Sequence, residues 1–230
     1  MPSLYAQSEL WDLIVKVEEG QRLNFDEGLR LINSQEILTL GYMADLIRER
    51  KNGNQTYFIV NRPIDYMDIC ASFEENENRS NAMMVYGKKT QEELIKRLLE
   101  LRTLQDQTKE FLSFSPIPFN LKTAKLEGTM GVGNTTGYED LKMLTISRIL
   151  LDNFDHIKAF WMMLGLKLAQ VSLAFGVDDL DGTVIEDRST SMDGEGSDHS
   201  MSKRALIQLI QKAGRDAVER DTLYRVCKTG

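Results

Sequence analysis

Residues 81–108 read NAMMVYGKKTQEELIKRLLELRTLQDQT, and this stretch decides the fold class. Ala82–Tyr86 is a short apolar run of strand length, which is typical of a buried strand. Thr90 and Glu93 have the spacing of a capping box, so they predict the start of a helix. The predicted helix carries an apolar stripe formed by Leu94, Leu98, Leu101 and Leu104. A buried strand that is followed directly by such a helix is the repeating unit of a parallel α/β sheet.

The same alternation of strands and helices continues toward the carboxyl end. Three further strands are predicted at 111–117, 157–162 and 183–185. Three helices are also predicted: the first begins at about Gly137, the second ends at Phe175 and the third begins at Ser202. With the β-branched and aromatic run at 56–60, this makes about five strands. A closed (β/α)8 barrel needs eight strands and about 250 residues, so the pattern predicts only part of a TIM-type barrel.

The first 55 residues show helical rather than strand periodicity. The first helix has an apolar stripe formed by Leu10, Leu13, Ile14 and Val17. A second helix is predicted from Asn24, which has Glu27 as its capping partner, and a third begins after Ser34. We therefore expect an N-terminal helical segment at 1–55, followed at 56–230 by an incomplete barrel with a C-terminal helix and tail.

Composition narrows the class of function. The chain has 35 acidic and 28 basic residues, a net charge of -7, which argues against nucleic-acid binding because that needs a cationic surface. Its two cysteines cannot supply a disulfide framework or a four-thiolate metal site. The most apolar stretch, 160–177, is interrupted by Lys167 and does not predict a membrane span. The charged first twenty residues do not resemble a secretory leader, so we expect a cytoplasmic protein.

Several segments together resemble one enzyme family. The first are Lys16–Leu23 (KVEEGQRL), Ala44–Arg50 (ADLIRER) and Asn61–Cys70 (NRPIDYMDIC). The later ones are Ser80–Gly87, Leu101–Thr108, Leu151–Trp161 (LDNFDHIKAFW), Leu180–Glu186 (LDGTVIE) and Val218–Tyr224 (VERDTLY). On these segments the chain resembles the aminofutalosine synthases, radical S-adenosylmethionine enzymes of the futalosine route to menaquinone. The cyclic dehypoxanthine futalosine synthases and a deazaflavin-cofactor synthase share the architecture, but the segments LDNFDHIKAFW and ERDTLY favour the first family.

The resemblance implies a cofactor, a reaction and a set of site residues. In the family, a [4Fe–4S] cluster cleaves S-adenosylmethionine to a 5′-deoxyadenosyl radical, which adds to the small-molecule substrate 3-[(1-carboxyvinyl)oxy]benzoate. Cys70 matches the first of three cluster cysteines that are spaced C-x3-C-x2-C. Barrel enzymes place their sites at the carboxyl ends of the strands. By that rule the residues expected near the substrate are Asn81, Tyr86, Asp181, Thr183 and Glu186.

The chain departs from this family at the cluster motif and in its length. Glu74 and Glu77 stand where the second and third cysteines belong, and carboxylates are poor ligands for iron–sulfur iron. Only ten residues separate Cys70 from Asn81, where the family has three further β/α units. The alternative to an active enzyme is therefore an internally shortened, inactive relative that only binds or assembles, with open sheet edges that favour self-association. A gene-model error that removed the middle of an intact enzyme is the other alternative.

Some candidate residues also have simpler interpretations. Cys70 fits a small buried residue at a strand end better than a cluster ligand. His156, just before an apolar strand, fits a packing role better than a catalytic one. Asp178, Asp179 and Asp181 could bind a cation, but a solvated strand entry is the favoured interpretation.

Overall fold

A computed structural model of the chain describes residues 5–60, 81–119, 135–185 and 200–227. Its helices are α1 (Trp11–Glu18), α2 (Phe25–Asn33), α3 (Ile37–Asn52), α4 (Gln91–Thr108), α5 (Gly137–Leu150), α6 (Trp161–Leu164), α7 (Leu166–Ser172) and α8 (Lys203–Lys212). Its strands are β1 (Gln55–Phe58), β2 (Asn81–Tyr86), β3 (Ser113–Pro118), β4 (His156–Phe160), β5 (Asp179–Asp181), β6 (Val184–Ile185), β7 (Met201–Ser202) and β8 (Asp216–Glu219).

Six of these strands form one parallel sheet in the order β2-β3-β4-β5-β1-β8. Helices connect the neighbouring strands β2, β3 and β4, as in successive β/α units of a barrel. The fold is therefore α/β and forms part of a (β/α)8 barrel, as the sequence predicts. The sixth strand is β8, which the sequence pattern does not predict and which pairs with β1.

The strand predicted at 183–185 is present but lies in a different sheet. It forms β6, which pairs with β7 in a separate two-stranded sheet, whereas the strand that joins the main sheet is β5. The prediction missed β5 because Asp179 and Asp181 look like solvated residues. Both carboxylates are instead buried in ion pairs, so the favoured interpretation of a solvated strand entry is wrong.

Alternate residues of each strand face opposite sides of the sheet. In β2, Ala82, Met84 and Tyr86 pack into the main hydrophobic core beneath the helices. Asn81, Met83 and Val85 lie on the opposite side, which we call the inner face. By the same alternation and the pairing registers, the rest of the inner face comprises Tyr57, Ser113, Ser115, Ile117, His156, Lys158, Phe160, Asp179 and Asp181.

The N-terminal helices share the main core with the sheet. Leu13 of α1 and Met43 of α3 belong to the same buried cluster as Phe114 of β3. Gly41 of α3 approaches Phe175 so closely that an added Cβ would lie 2.7 Å from the ring. The proposed boundary between 1–55 and 56–230 stays a prediction. No helix within the described ranges is both long and apolar enough to cross a bilayer.

Candidate functional site

An ion-pair network lies on the inner face near the carboxyl ends of β4 and β5. The Lys158 Nζ lies 2.9 Å from Asp181 Oδ2, and both side chains are buried. Arg220, just after β8, brings its Nη2 to 3.8 Å from the same oxygen. Burial by itself raises the pKa of Asp181, but the charges of Lys158 and Arg220 outweigh it and hold that pKa below its ordinary value. The network is thus charged, and its two cations, Lys158 and Arg220, are balanced by the carboxylates of Asp181 and Asp179.

Asp179 anchors the C-terminal tail to this network. Its Oδ2 accepts hydrogen bonds from Arg220 Nε at 3.1 Å and Nη2 at 2.6 Å, and from the Tyr224 hydroxyl. Its Oδ1 is buried and has no hydrogen-bond partner among the described residues. Burial, and after it the charge of Asp179, raises the pKa of Tyr224 well above its ordinary value, so the hydroxyl stays a donor.

The Tyr224 ring closes the inner face near the amino ends of the strands. It stacks on His156 with the ring centroids 3.9 Å apart and with 5° between the planes. The His156 Nδ1 is 2.6 Å from Asp178 Oδ2, and Asp178 also pairs with the fully buried Arg148 of α5. These contacts agree with the packing role expected for His156, and they use Asp178 to neutralise a buried guanidinium.

One aromatic side chain, Trp161, and one sulfur-containing side chain, Met162, shape the carboxyl edge of the sheet. Trp161 is buried, and within the part of the chain that the structure describes its indole N–H has no hydrogen-bond partner. It packs on Gly182, where an added Cβ would lie 2.3 Å from the indole, so only glycine fits there. Thr183 donates its backbone N–H to the Met162 Sδ at 3.2 Å. The edge therefore carries a buried donor beside the Asp181–Lys158 pair.

The expected site residues separate in the structure. Asp181 and Thr183 meet at the carboxyl edge of the sheet. Asn81 also belongs to the inner face but begins β2 at the amino end, where its Oδ1 accepts from Ser113 Oγ at 2.7 Å and Ser115 Oγ at 3.2 Å. Tyr86 points to the helix side instead, and its hydroxyl donates to Asp140 at 2.6 Å. Glu186 and Cys70 lie outside the described residues.

Sequence reasoning missed three prominent groups of the network. Lys158 sits in the apolar run HIKAF, where the period of two places it on the same face as Phe160. Arg220 and Tyr224 belong to the segment VERDTLY, which carried the family resemblance but received no role. The alternation in HIKAF was the available signal for Lys158. The tail contacts depend on β8, which had no strand signal.

The residues present do not fit the cluster that the family uses. Three thiolates are needed, and the sequence has only Cys70 and Cys227. Cys227 is exposed at the tail. Across the described ranges no group of three His, Cys, Asp or Glu side chains could hold a metal ion. Glu74 and Glu77 are hard oxygen donors, so they do not replace the missing sulfurs.

Comparison with known proteins identifies relatives of this chain. Residues 108–229 match the family described as CofH/MqnC C-terminal region. The aminodeoxyfutalosine synthase of Thermus thermophilus is 46% identical over 162 residues, which cover 70% of this chain and 44% of the relative. That of Streptomyces coelicolor is 33% identical over 173 residues, which cover 71% of this chain and 45% of the relative.

A more distant relative extends over more of the chain. A 5-amino-6-(D-ribitylamino)uracil–L-tyrosine 4-hydroxyphenyl transferase of Methanosarcina barkeri is 29% identical over 234 residues, covering 95% of this chain and 61% of its own length. The chain spans about half the length of the aminodeoxyfutalosine synthases that it matches.

Solved structures agree with the fold. The FeFe-hydrogenase maturase HydG of Carboxydothermus hydrogenoformans aligns with a TM-score of 0.60 at 10% identity, covering 97% of this chain and 82% of the maturase. At that identity the likeness concerns the fold alone. The family match and the 46% identity together carry the assignment: this chain belongs to the CofH/MqnC C-terminal region family, as an aminofutalosine synthase-like radical S-adenosylmethionine protein.

Proposed function

We propose that this chain carries the substrate-binding part of an aminodeoxyfutalosine synthase. In the whole reaction, the 5′-deoxyadenosyl radical of S-adenosylmethionine adds to 3-[(1-carboxyvinyl)oxy]benzoate. The observation that carries the proposal is the 46% identity to a named aminodeoxyfutalosine synthase. Two β/α units and their inner-face side chains lie within the family match at 108–229.

The chemistry of the inner face suits this substrate. The molecule has two carboxylates and one aromatic ring, so it needs cations beside an apolar surface. Lys158 and Arg220 are paired with Asp181 and Asp179, but among the described residues Lys158 uses one of its three N–H donors, in the hydrogen bond to Asp181, and has donors left for a carboxylate. Ile117 and Phe160 form a small apolar cluster on the same face, which suits the ring.

The proposal does not include formation of the 5′-deoxyadenosyl radical by this chain. A [4Fe–4S] cluster and S-adenosylmethionine are the family's cofactors, but Glu74 and Glu77 stand at two of the three cluster positions. This observation favours the second candidate function: a relative that binds substrate without cleaving S-adenosylmethionine. The two candidates share the inner face and differ only in the cluster.

Anaerobic reconstitution with iron and sulfide separates these two candidates. We expect the wild-type chain to gain no iron–sulfur absorption in the visible range and to release no 5′-deoxyadenosine from S-adenosylmethionine. Release of 5′-deoxyadenosine by the wild-type chain would instead support radical formation by this chain. A Glu74→Cys/Glu77→Cys variant restores the cysteine spacing, and iron uptake by it alone would identify the missing thiolates as the cause.

Calorimetric titration with 3-[(1-carboxyvinyl)oxy]benzoate tests the binding role. The Lys158→Met/Asp181→Asn variant removes the ion pair as a unit, so it leaves no unpaired charge buried. We expect at least about tenfold weaker binding in this variant, because a charged hydrogen bond contributes about 1.5–3 kcal/mol. Lys212→Met, on the far end of α8, is the control. Equal affinity in all three proteins would refute the role of the inner face.

A further inference from the structure

A cavity lies on the helix side of the sheet, between α2, α4 and α5. Its volume is about 490 Å³, and its lining includes Ile32, Gln91, Thr136, Lys142 and Met143. Tyr86, whose side chain points to the helix side, also lines it. The cavity is therefore separated by the sheet from the inner face and from Lys158. Its volume is in the range of small-molecule sites.

Lys142 is the unusual residue of this cavity. Only 8% of the residue is exposed, yet its ammonium makes no hydrogen bond or ion pair with any described residue. Its closest described interaction is with the Tyr138 ring, whose centroid lies 5.5 Å from Nζ. Burial lowers the pKa of Lys142 from its ordinary value. A buried ammonium without a counter-charge destabilises the fold, so a ligand anion would relieve a cost already present.

Two helix N-termini add positive potential to the same cavity. Gln91 is the first residue of α4, and Thr136 is the N-cap of α5; both line it. Their capping boxes satisfy the N–H groups of Thr90, Glu93, Thr136 and Glu139, while the N–H groups at the first two positions of each helix have no intrahelical acceptor. The N-termini of these helices, which have 18 and 14 residues, thus place positive potential at the cavity that Lys142 also lines.

The carboxylate that lines the cavity already accepts hydrogen bonds from the start of its own helix. Glu139 is the acidic side chain among the described lining residues, and its Oε2 accepts from Thr136 N at 2.7 Å and Thr136 Oγ1 at 2.9 Å. Lys89 is a second, exposed cation of the lining. Apolar side chains of Ile32, Leu94, Met143 and Ile146 complete the wall.

We propose that this cavity is a binding site for a small organic carboxylate, whose carboxylate pairs with Lys142 and whose apolar body packs against Met143. An anion is expected because the buried Lys142 ammonium has no hydrogen-bond or ion-pair partner among the described residues. An organic anion is expected rather than an inorganic one because apolar side chains form part of the cavity wall. This site is independent of the proposed substrate site, because its residues lie on the other side of the sheet.

Methionine methyl NMR with benzoate as the probe tests the proposal. We expect the Met143 methyl signal, assigned with a Met143→Leu variant, to shift in a saturable way. Met83 reports on the inner face and separates binding there from binding in this cavity. In Lys142→Met the affinity read from Met143 should fall at least tenfold, while Lys212→Met should bind as the wild type does.

Thermal unfolding of the same variants shows whether Lys142→Met is folded. We expect its Tm without benzoate to be higher than that of the wild type, because the variant removes an uncompensated buried charge, and we expect benzoate to raise the Tm of the wild type alone. Equal benzoate affinity in Lys142→Met would overturn the proposal. So would the absence of a Met143 shift, or a shift with inorganic phosphate but not with benzoate.

Discussion

Tyr224 is the residue that connects the tail to the inner face. Its backbone has a φ of 58°, which is uncommon for a residue other than glycine, and its hydroxyl donates to Asp179 Oδ2. The other Asp179 oxygen has no hydrogen bond to any residue in the described ranges. The left-handed conformation is tolerated because it places the ring on His156 and the hydroxyl on a buried carboxylate.

Tyr224→Phe should therefore destabilise the protein. The ring stacking is kept, but a buried carboxylate loses one of its donors, so we expect the free energy of unfolding to fall by about 2 kcal/mol. Urea unfolding followed by circular dichroism measures the change. Tyr57→Phe is the matched control, because its hydroxyl donates to Gln55 in an exposed position and should contribute little. Equal losses in the two variants would contradict the role of the Tyr224 hydroxyl.

At the scale of elements, residues close together in the sequence determine where the helices begin. Thr90 accepts from the Glu93 N–H at 3.2 Å, and Glu93 accepts from the Thr90 N–H at 2.8 Å. We expect Thr90→Ala to lower the free energy of unfolding by about 1 kcal/mol, because the cap leaves an N–H unsatisfied. Thr103→Ala in the same helix should be neutral or slightly stabilising, since alanine has the higher helix propensity. Urea unfolding of both variants measures this difference. A Thr90→Ala variant with the same free energy of unfolding as the wild type would refute the role of the cap.

Arg22 connects the loop after α1 to α4. It makes two hydrogen bonds to Asp106, at 2.6 Å and 2.8 Å, and Asn153 donates to the same carboxylate. These contacts, with the Arg22 hydrogen bond the largest, lower the pKa of Asp106 to about 2. Because the folded pKa lies below the unfolded value of about 3.9, the stabilisation is present above about pH 4 and is lost as the pH falls toward 2.

The stability of Asp106→Asn should consequently depend less on pH in that window. We expect its urea midpoint to fall less between pH 4 and pH 2 than the wild-type midpoint does. The effect is modest because Arg22 and Asp106 are partly exposed and screened by solvent. Asp26→Asn, at an exposed position in α2, is the control, and an Asp106→Asn profile parallel to the wild type would contradict the assignment.

The sequence predicts elements well where their signal is local. The capping pairs at Asn24 and Thr90 start α2 and α4 as expected. It fails at β5 and β8, whose polar residues Asp179 and Asp216 give no strand pattern. Those strands depend on partners distant in the chain, such as Arg220 for Asp179, and such pairs cannot be inferred from spacing. For the same reason the sequence predicted Asp181 at the edge but missed Lys158 beside it.

At the scale of the whole molecule, the sheet of described strands is open. β2 and β8 stand at its two ends, so each has one neighbouring strand in this sheet. A closed barrel has no such edges, whereas an edge strand presents backbone groups that can pair with another chain. Val85 and Met83 on β2 add partly buried apolar side chains beside that edge. Among the described strands, these edges therefore predict a surface for pairing with a second copy.

We therefore expect the wild-type chain to self-associate through β2 as its concentration rises. Size-exclusion chromatography with light scattering should show a mass above that of one chain, increasing with concentration. Val85→Lys places a charge on the edge strand and should shift the population toward monomer, because edge lysines oppose strand pairing. Leu38→Lys adds the same charge at an exposed position of α3 and should leave the mass unchanged. A wild-type chain that stays monomeric at high concentration would exclude association through the open edge.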